Sequence, residues 1–437
     1  MSAPIDVALQ DSPARGIDAE AVLARTRMRL LPLLIVLFIV SYLDRVNVSF
    51  AKLTMDAALG IDDSVYALGA GIFFIGYFVF EVPSNLILER VGARRWIARI
   101  MITWGLVSAA TAGVTGGNSF IIMRLLLGIA EAGFFPGILL YLTYWFPQSE
   151  RARVVGLFMV AIPLTGLIGS PVSSVLLGLD GRLGLQGWQW LLLLEALPAI
   201  ALGAACLVLL PDGPAQARWL TPPEREWLAM TLAAERAAVQ KVGHSSLRGA
   251  MGSMRVWALA LAYFAIVVVV YGFGFWLPTL VHSFGVAVTR VGWVTMLPFV
   301  CAAPFMAWWG RHSDRTHERV GHLLLSAFLG LFGFVGAGLS TGLAPQLAFL
   351  CIAAMGIYGS LPIIWTFPTE FLAATAAAAG IAFINCVGNL GGYFGPQIVA
   401  GMTRVGGGFG PALTVLGFVM LVPALIIVSL SRQRRRS

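Results

Sequence analysis

Four ionisable side chains interrupt stretches that are otherwise apolar: Asp44 and Arg45 in one, Arg124 and Glu131 in another. Charge at bilayer depth is costly, and it persists mainly where a chain moves ions or charged solutes. The two arginines keep their protons, and each offers a planar fork that matches a carboxylate with two hydrogen bonds. The two acids can change state, because burial favours the protonated form while a neighbouring arginine favours the ionised one. The chemistry this permits is exchange of an arginine's partner. An incoming carboxylate would compete with Asp44 or Glu131, and the displaced acid would take up a proton.

Such residues need elements that hold them at depth. The chain has 437 residues, 58% hydrophobic and only 11% charged, with a mean hydropathy of +0.85. That balance is far from a soluble domain's and belongs in a bilayer. Runs of about twenty apolar residues can cross a core roughly 30 Å thick as helices. Twelve are predicted, at roughly 30–51, 65–87, 96–116, 119–142, 153–178, 188–210, 256–281, 290–309, 321–341, 345–368, 377–401 and 410–431. The fold class is therefore all-α and integral to the membrane. Its expected parts are a tail (1–29), a six-helix bundle (30–210), a linker (211–255), a second bundle (256–431) and a basic tail (432–437).

Depth can be read from helical rise. Asp44 falls about 21 Å along a span that starts near Leu30, and Arg124 about 7 Å below the opposite surface on a span that starts near Ser119, so the two levels nearly coincide. Glu131 follows Arg124 by seven residues, two turns on and on nearly the same face, about 10 Å deeper. One column of charge facing one cavity is the expectation.

The net charge of +8 needs a reading of its own. Of 29 Lys and Arg, 23 fall in the tails and in alternate connecting segments on one side, and only Lys52, Arg182, Arg290 and Arg404 fall on the other. This bias predicts that both termini are cytoplasmic. The basic excess is then an orientation signal with some attraction for anionic lipid headgroups, and no nucleic-acid partner is expected. The first 24 residues lack the apolar core of a cleavable signal peptide. Cys206, Cys301, Cys351 and Cys386 lie within apolar spans, where packing is their expected job. The five histidines show no ligand spacing, and no phosphate-binding loop is present. Neither a metal, a cofactor nor an enzymatic constellation is expected.

Two segments betray a duplication. One reads Asn85-x3-Glu89-Arg90-x-Gly92-x-Arg94-Arg95, the other Gly310-x3-Asp314-Arg315-x-His317-x-Arg319, each aligned pair 225 positions apart. The chain here resembles the major facilitator superfamily, whose G-x3-D-[RK]-x-G-x-[RK]-[RK] loop these segments match, with Asn85, Glu89 and His317 as departures. Within it the chain is most similar to the anion:cation symporter family. The segments that carry this likeness are Ser41 to Asn47, Glu81-Val82-Pro83-Ser84-Asn85, Arg124-x3-Gly128-x2-Glu131-Ala132-x3-Pro136, Phe367-Pro368-Thr369-Glu370-Phe371 and Gly388-Asn389-Leu390-Gly391-Gly392.

The resemblance implies two parallel six-helix halves with a site between them near the midplane. It implies that Arg45 and Arg124 serve the substrate anion or pair with the acids, and that Asp44 and Glu131 carry protons. Tyr77 and Asn389 are expected at the substrate, with Asn385 one helical turn from Asn389 and Tyr271 and Trp365 as possible walls. The loop residues Asn85, Glu89, Arg90, Gly92, Arg94, Gly310, Asp314 and Arg315 are expected to gate, with Glu81 and Glu370 near them. Glu195 reads as structural. Thr221-Pro222-Pro223-Glu224 has the form of a helix start with a capping box, followed by a helix to about Gln240 with no clean apolar stripe.

The expected function is a bacterial-type inner-membrane secondary carrier. It would import a small organic anion with protons, by alternating access and as a monomer. Tartrate, sugar acids and aromatic or heteroaromatic acids such as hydroxyphenylacetate, phthalate or nicotinate are the substrate types the resemblance suggests. Proton-coupled export of organic anions or drugs is the alternative, with a non-transporting sensor behind it.

Overall fold

The computed structural model describes residues 17–241, 251–371 and 374–436. Parts of the expected N-terminal tail and linker, and the side chain of Glu370, lie outside the described residues. The first half runs through α1 (Ala19–Val46), α2 (Val48–Leu59), α3 (Asp63–Val91), α4 (Ala93–Ala110), α5 (Gly117–Glu131), α6 (Phe134–Thr143), α7 (Gln148–Met159), α8 (Ala161–Leu177) and α9 (Gly187–Leu209). After the linker helix α10 (Pro222–Lys241) come α11 (Met254–His282), α12 (Val288–Thr295), α13 (Leu297–Thr316), α14 (Val320–Leu339), α15 (Leu343–Ile364), α16 (Phe367–Phe371), α17 (Ala374–Asn389), α18 (Gly391–Gly406), α19 (Phe409–Val419) and α20 (Leu421–Arg436).

Several of these helices join end to end, giving twelve columns among the described residues, six in each half. Ten columns are long and apolar enough to cross a membrane among the described residues. Of the other two, α4 carries Arg94, Arg95 and Arg99 in its first turns, and the α17–α18 column divides at Leu390 into two sixteen-residue pieces.

Proline explains three of the joins. A proline ring collides with the carbonyl four residues back and removes a backbone donor, so a helix breaks just ahead of it. Pro136 follows the break at Ala132, where ψ turns to 132°. Pro163 and Pro298 sit in the first turns of α8 and α13, just past the breaks at Val160 and Met296. The Ala132 break leaves Glu131 as the last residue of α5 and puts Gly133 in the left-handed region at φ 84°.

The halves meet along a seam that tight packing closes on the side away from the termini. A Cβ added at Gly292 would sit 1.8 Å from the Ser170 carbonyl oxygen, so only glycine permits that crossing of α12 over α8. There the Gly292 N–H donates to Ser174 Oγ at 2.6 Å. Tyr66 Oη donates to the Phe275 carbonyl at 3.0 Å. Lys52, paired with Asp56 and with Asp63 at 2.7 Å, lies 4.7 Å from the Tyr66 ring and 5.2 Å from the Trp276 ring of the other half. On the termini side α10 docks onto the first half. Leu228 and Leu232, one turn apart, are buried beneath it, a stripe that inspection of the sequence missed. Arg25 pairs with Glu224 and Arg151 with Glu235 at 3.2 Å, and the Thr221 N–H donates to Glu224 at 2.8 Å as the capping box requires.

Candidate functional site

Ser41 and Arg45 lie one turn apart on α1 and face the broken end of α5. Arg45 Nη2 pairs with Glu131 Oε1, and Ser41 Oγ donates to the same oxygen at 2.9 Å. Glu131 is fully buried, and its Oε2 has no partner. The other fork of Arg45 crosses the seam: Nη1 donates to Tyr271 Oη of α11 at 3.0 Å. The guanidinium also lies 5.2 Å from the Phe73 ring and 5.3 Å from the Tyr77 ring, within cation–π range. Both halves therefore hold one cation, and one acid compensates it.

Arg45, Tyr77 and Tyr271 border a cavity of about 50 Å³ that is lined also by Tyr42 from the first half and Tyr263, Asn385 and Asn389 from the second, with Phe38 and Phe135 among its walls. That space has room for no more than a few water-sized molecules and falls well short of the roughly 300–1,000 Å³ of a ligand pocket. A substrate needs the halves to part. On the termini side Asn385 Nδ2 donates across the seam to Glu81 Oε1 at 2.9 Å.

Two of the four charges expected in the column stand elsewhere. Asp44 turns away from the cavity into the first bundle, where it accepts from Trp104 Nε1 at 2.8 Å, Ser108 Oγ at 3.2 Å and Asn47 Nδ2 at 3.3 Å. The physical reason is helical geometry: adjacent residues point about 100° apart, so Asp44 and Arg45 cannot face the same space. Arg124 also stays behind the cavity, 1% exposed. Its Nε donates to the Gly69 carbonyl at 3.3 Å and its Nη2 to the Arg45 carbonyl at 3.4 Å. Arg124 thus reaches the backbone of the span that carries Asp44 and Arg45, whereas the expected shared exposure of the four charges to one cavity is not found.

Trp365 is likewise not a cavity wall; its ring meets Tyr263 at 4.7 Å. Tyr77, Tyr271, Asn385 and Asn389 do border the cavity.

The loop residues gather at the termini side of their own halves. Gly92 and His317, aligned across the duplication, both take positive φ, 93° and 52°. Arg94 pairs with Asp212 at 3.4 Å and Arg319 with Asp314 at 2.7 Å. Glu89, Arg90 and Arg315 are exposed, Gly310 approaches Pro362, and Asn85 Oδ1 is buried without a partner. Among the described residues, a bond that joins the halves on this side runs instead from Asn385 to Glu81. Glu195 accepts from Ser173 Oγ of α8 at 2.8 Å, a helix-to-helix bond within one half.

Sequence reasoning missed the cradle of Asp44. Trp104-x3-Ser108 places an indole N–H and a hydroxyl on one face of an apolar helix, a signal that spacing could have offered.

A relative described as "Putative tartrate transporter" from Agrobacterium vitis is 47% identical over 94% of this chain and 95% of its own length. A quinolone resistance transporter from Acinetobacter baumannii is 39% identical over 96% and 98%. The inner membrane transport protein RhmT of Escherichia coli K12 is 40% identical over 95% and 96%. Among solved structures, the partially occluded inward-open xylose transporter XylE from E. coli superposes with a TM-score of 0.73 at 15% identity, covering 92% of this chain and 99% of that one, a likeness of fold alone. The family model of the major facilitator superfamily matches residues 33–396, and the chain, a multi-pass membrane transporter rather than an enzyme, belongs to that superfamily.

Proposed function

We propose that this protein imports a small organic carboxylate together with protons, exposing the Arg45–Glu131 site alternately to the two sides of the inner membrane, with both termini cytoplasmic. The observation that carries the reading is the sharing of Arg45 between Glu131 of one half and Tyr271 of the other. A substrate carboxylate that takes the Arg45 fork leaves Glu131 buried without its cation. An isolated buried carboxylate is strongly disfavoured, so Glu131 takes a proton. Substrate and proton then enter together, and the paired state returns when both leave. Arg124 and Asp44 sit behind this exchange, Arg124 fixing the Arg45 backbone and Asp44 held for a proton role through Trp104 and Ser108.

Proteoliposomes loaded against a pH gradient test this with radiolabelled tartrate and benzoate as probes. Wild-type protein should accumulate a carboxylate when the outside is acid. Glu131→Gln should lose accumulation yet retain exchange of label across equal pH. A Glu131→Gln protein that binds and accumulates normally overturns the reading. Because one relative is a quinolone resistance transporter, export by proton exchange is the second reading. It requires the opposite response to the imposed gradient.

A further inference from the structure

A further buried acid, Glu195, stands apart from the exchange at Arg45, and its part in transport rests on the import reading above. Beside the Gly292 crossing, on the side away from the termini, the seam encloses a cavity of about 30 Å³ whose lining includes Asn47, Ser170 and Ser173. It has room for no more than a water or two. Ser173 Oγ donates from the wall of this cavity to Glu195 Oε1 at 2.8 Å, so one hydroxyl separates that carboxyl from the enclosed space. Glu195 is 2% exposed, and its Oε2 is buried with no partner.

Among the described residues no cation compensates Glu195. Of the charged groups on the helices packed against α9, Arg45 of α1 is held by Glu131 and Tyr271, and Lys52 of α2 by Asp56 and Asp63. Arg94, Arg95 and Arg99 sit in the first turns of α4, at the end away from Ser108. The charged group that does face Glu195 is another acid, Asp44, and the Asn47 amide, which donates to Asp44 Oδ1 at 3.3 Å, faces both. Neighbouring buried carboxyls disfavour ionising together. Asp44 accepts three hydrogen bonds and Glu195 one, so Glu195 is the acid that holds a proton while the seam is closed. When Gly292 lifts from Ser170, water reaches Ser173, whose hydroxyl can pass the Glu195 proton to that water. Ionised Glu195 then opposes closure, which would bury its charge again. We propose that Glu195 is a proton-binding site of the transport cycle, and that the halves close on the side away from the termini only over its protonated form.

The test uses full-length protein in nanodiscs, its four cysteines replaced, with one spin label on each half at the exposed positions Ala58 and Ala287. The distance between labels is read as pH is lowered, with no substrate present. With Glu195 native, the ratio of closed to open distances should rise as pH falls, at up to about tenfold per pH unit for one linked proton. Glu195→Gln is neutral at every pH and still accepts from Ser173, so it should hold the closed distance across the range. Ser173→Ala removes the donor that steadies the ionised form and should move the transition to higher pH, which keeps the proposal testable if Glu195→Gln fails to fold. Glu131→Gln should keep the dependence, because the exchange at Arg45 is a separate event. Distances that ignore pH with Glu195 native, a pH dependence retained by Glu195→Gln, or an unmoved transition in Ser173→Ala would each overturn the role of Glu195. A dependence lost in Glu131→Gln alone would assign it to the Arg45 site, overturning the role of Glu195 while the import reading stands.

Discussion

The two halves share a plan of helices and differ in where charge is buried. Among the described residues, every buried charged side chain (Asp44, Arg45, Lys52, Glu81, Arg124, Glu131 and Glu195) belongs to the first half. The second half answers with neutral groups: Tyr271 on Arg45, Asn385 on Glu81, Asn389 at the cavity and the Trp276 ring beside Lys52. The difference teaches a division of labour. At the seam the first half supplies the charged groups and the second meets them with hydrogen bonds and rings, its own buried imidazole, His322, being paired with Glu318 of the same half. On the proposed exchange, each change of charge at the site should alter how firmly the halves adhere.

Removing charge from the first half should produce the largest effect. Arg45→Ala leaves Glu131 buried without its cation and should destabilise the protein by about 3–5 kcal/mol in denaturation measurements. Adding Glu131→Gln to it should restore part of that loss, because the uncompensated charge disappears. Additive losses in the double variant would mean that the pair does not act as a unit.

An intermediate effect is expected from the neutral partner. Tyr271→Phe keeps the ring and deletes the hydroxyl that accepts from Arg45 across the seam. Hydrogen bonds to charged groups contribute about 1.5–3 kcal/mol. In a protein that opens and closes, this loss should appear mainly as a population shift toward separated halves, read as faster labelling of a cysteine introduced at Asn389. Unchanged labelling would show that Tyr271 does not sense the charge on Arg45.

The smallest effect concerns the duplicated loops. His317 occupies a left-handed position where its counterpart is Gly92, a conformation that costs side chains with a Cβ and costs glycine little. His317→Gly should stabilise by about 0.5–1 kcal/mol after glycine's entropic cost, whereas Gly92→Ala should destabilise. A destabilised His317→Gly would mean that the imidazole makes contacts worth more than the strain.

Much of this arrangement was legible in the sequence because charge inside apolar spans is rare. Asp44, Arg45, Arg124 and Glu131 stood out together as charge inside apolar spans, and the duplicated loop pointed to two matched halves, whose aligned positions Gly92 and His317 both take positive φ. Direction was harder to read. Neighbouring positions on α1 send Asp44 and Arg45 to different faces, and no spacing announces that Arg124 turns Nε and Nη2 to backbone carbonyls. The Ala132 break follows from the rule that a proline ring meets the carbonyl four residues back, here the ring of Pro136. The Glu81–Asn385 bond joins residues 304 positions apart, and pairing over such a distance depends on how the halves dock.

Proton uptake on binding, followed with a pH indicator in weakly buffered solution at neutral pH, tests the exchange at Arg45 most directly. Adding a binding carboxylate such as benzoate to purified wild-type protein should draw about one proton per bound ligand as Glu131 is displaced and neutralised, and Glu131→Gln should bind with no uptake. Saturable binding to wild type with no change in free proton concentration would contradict the account.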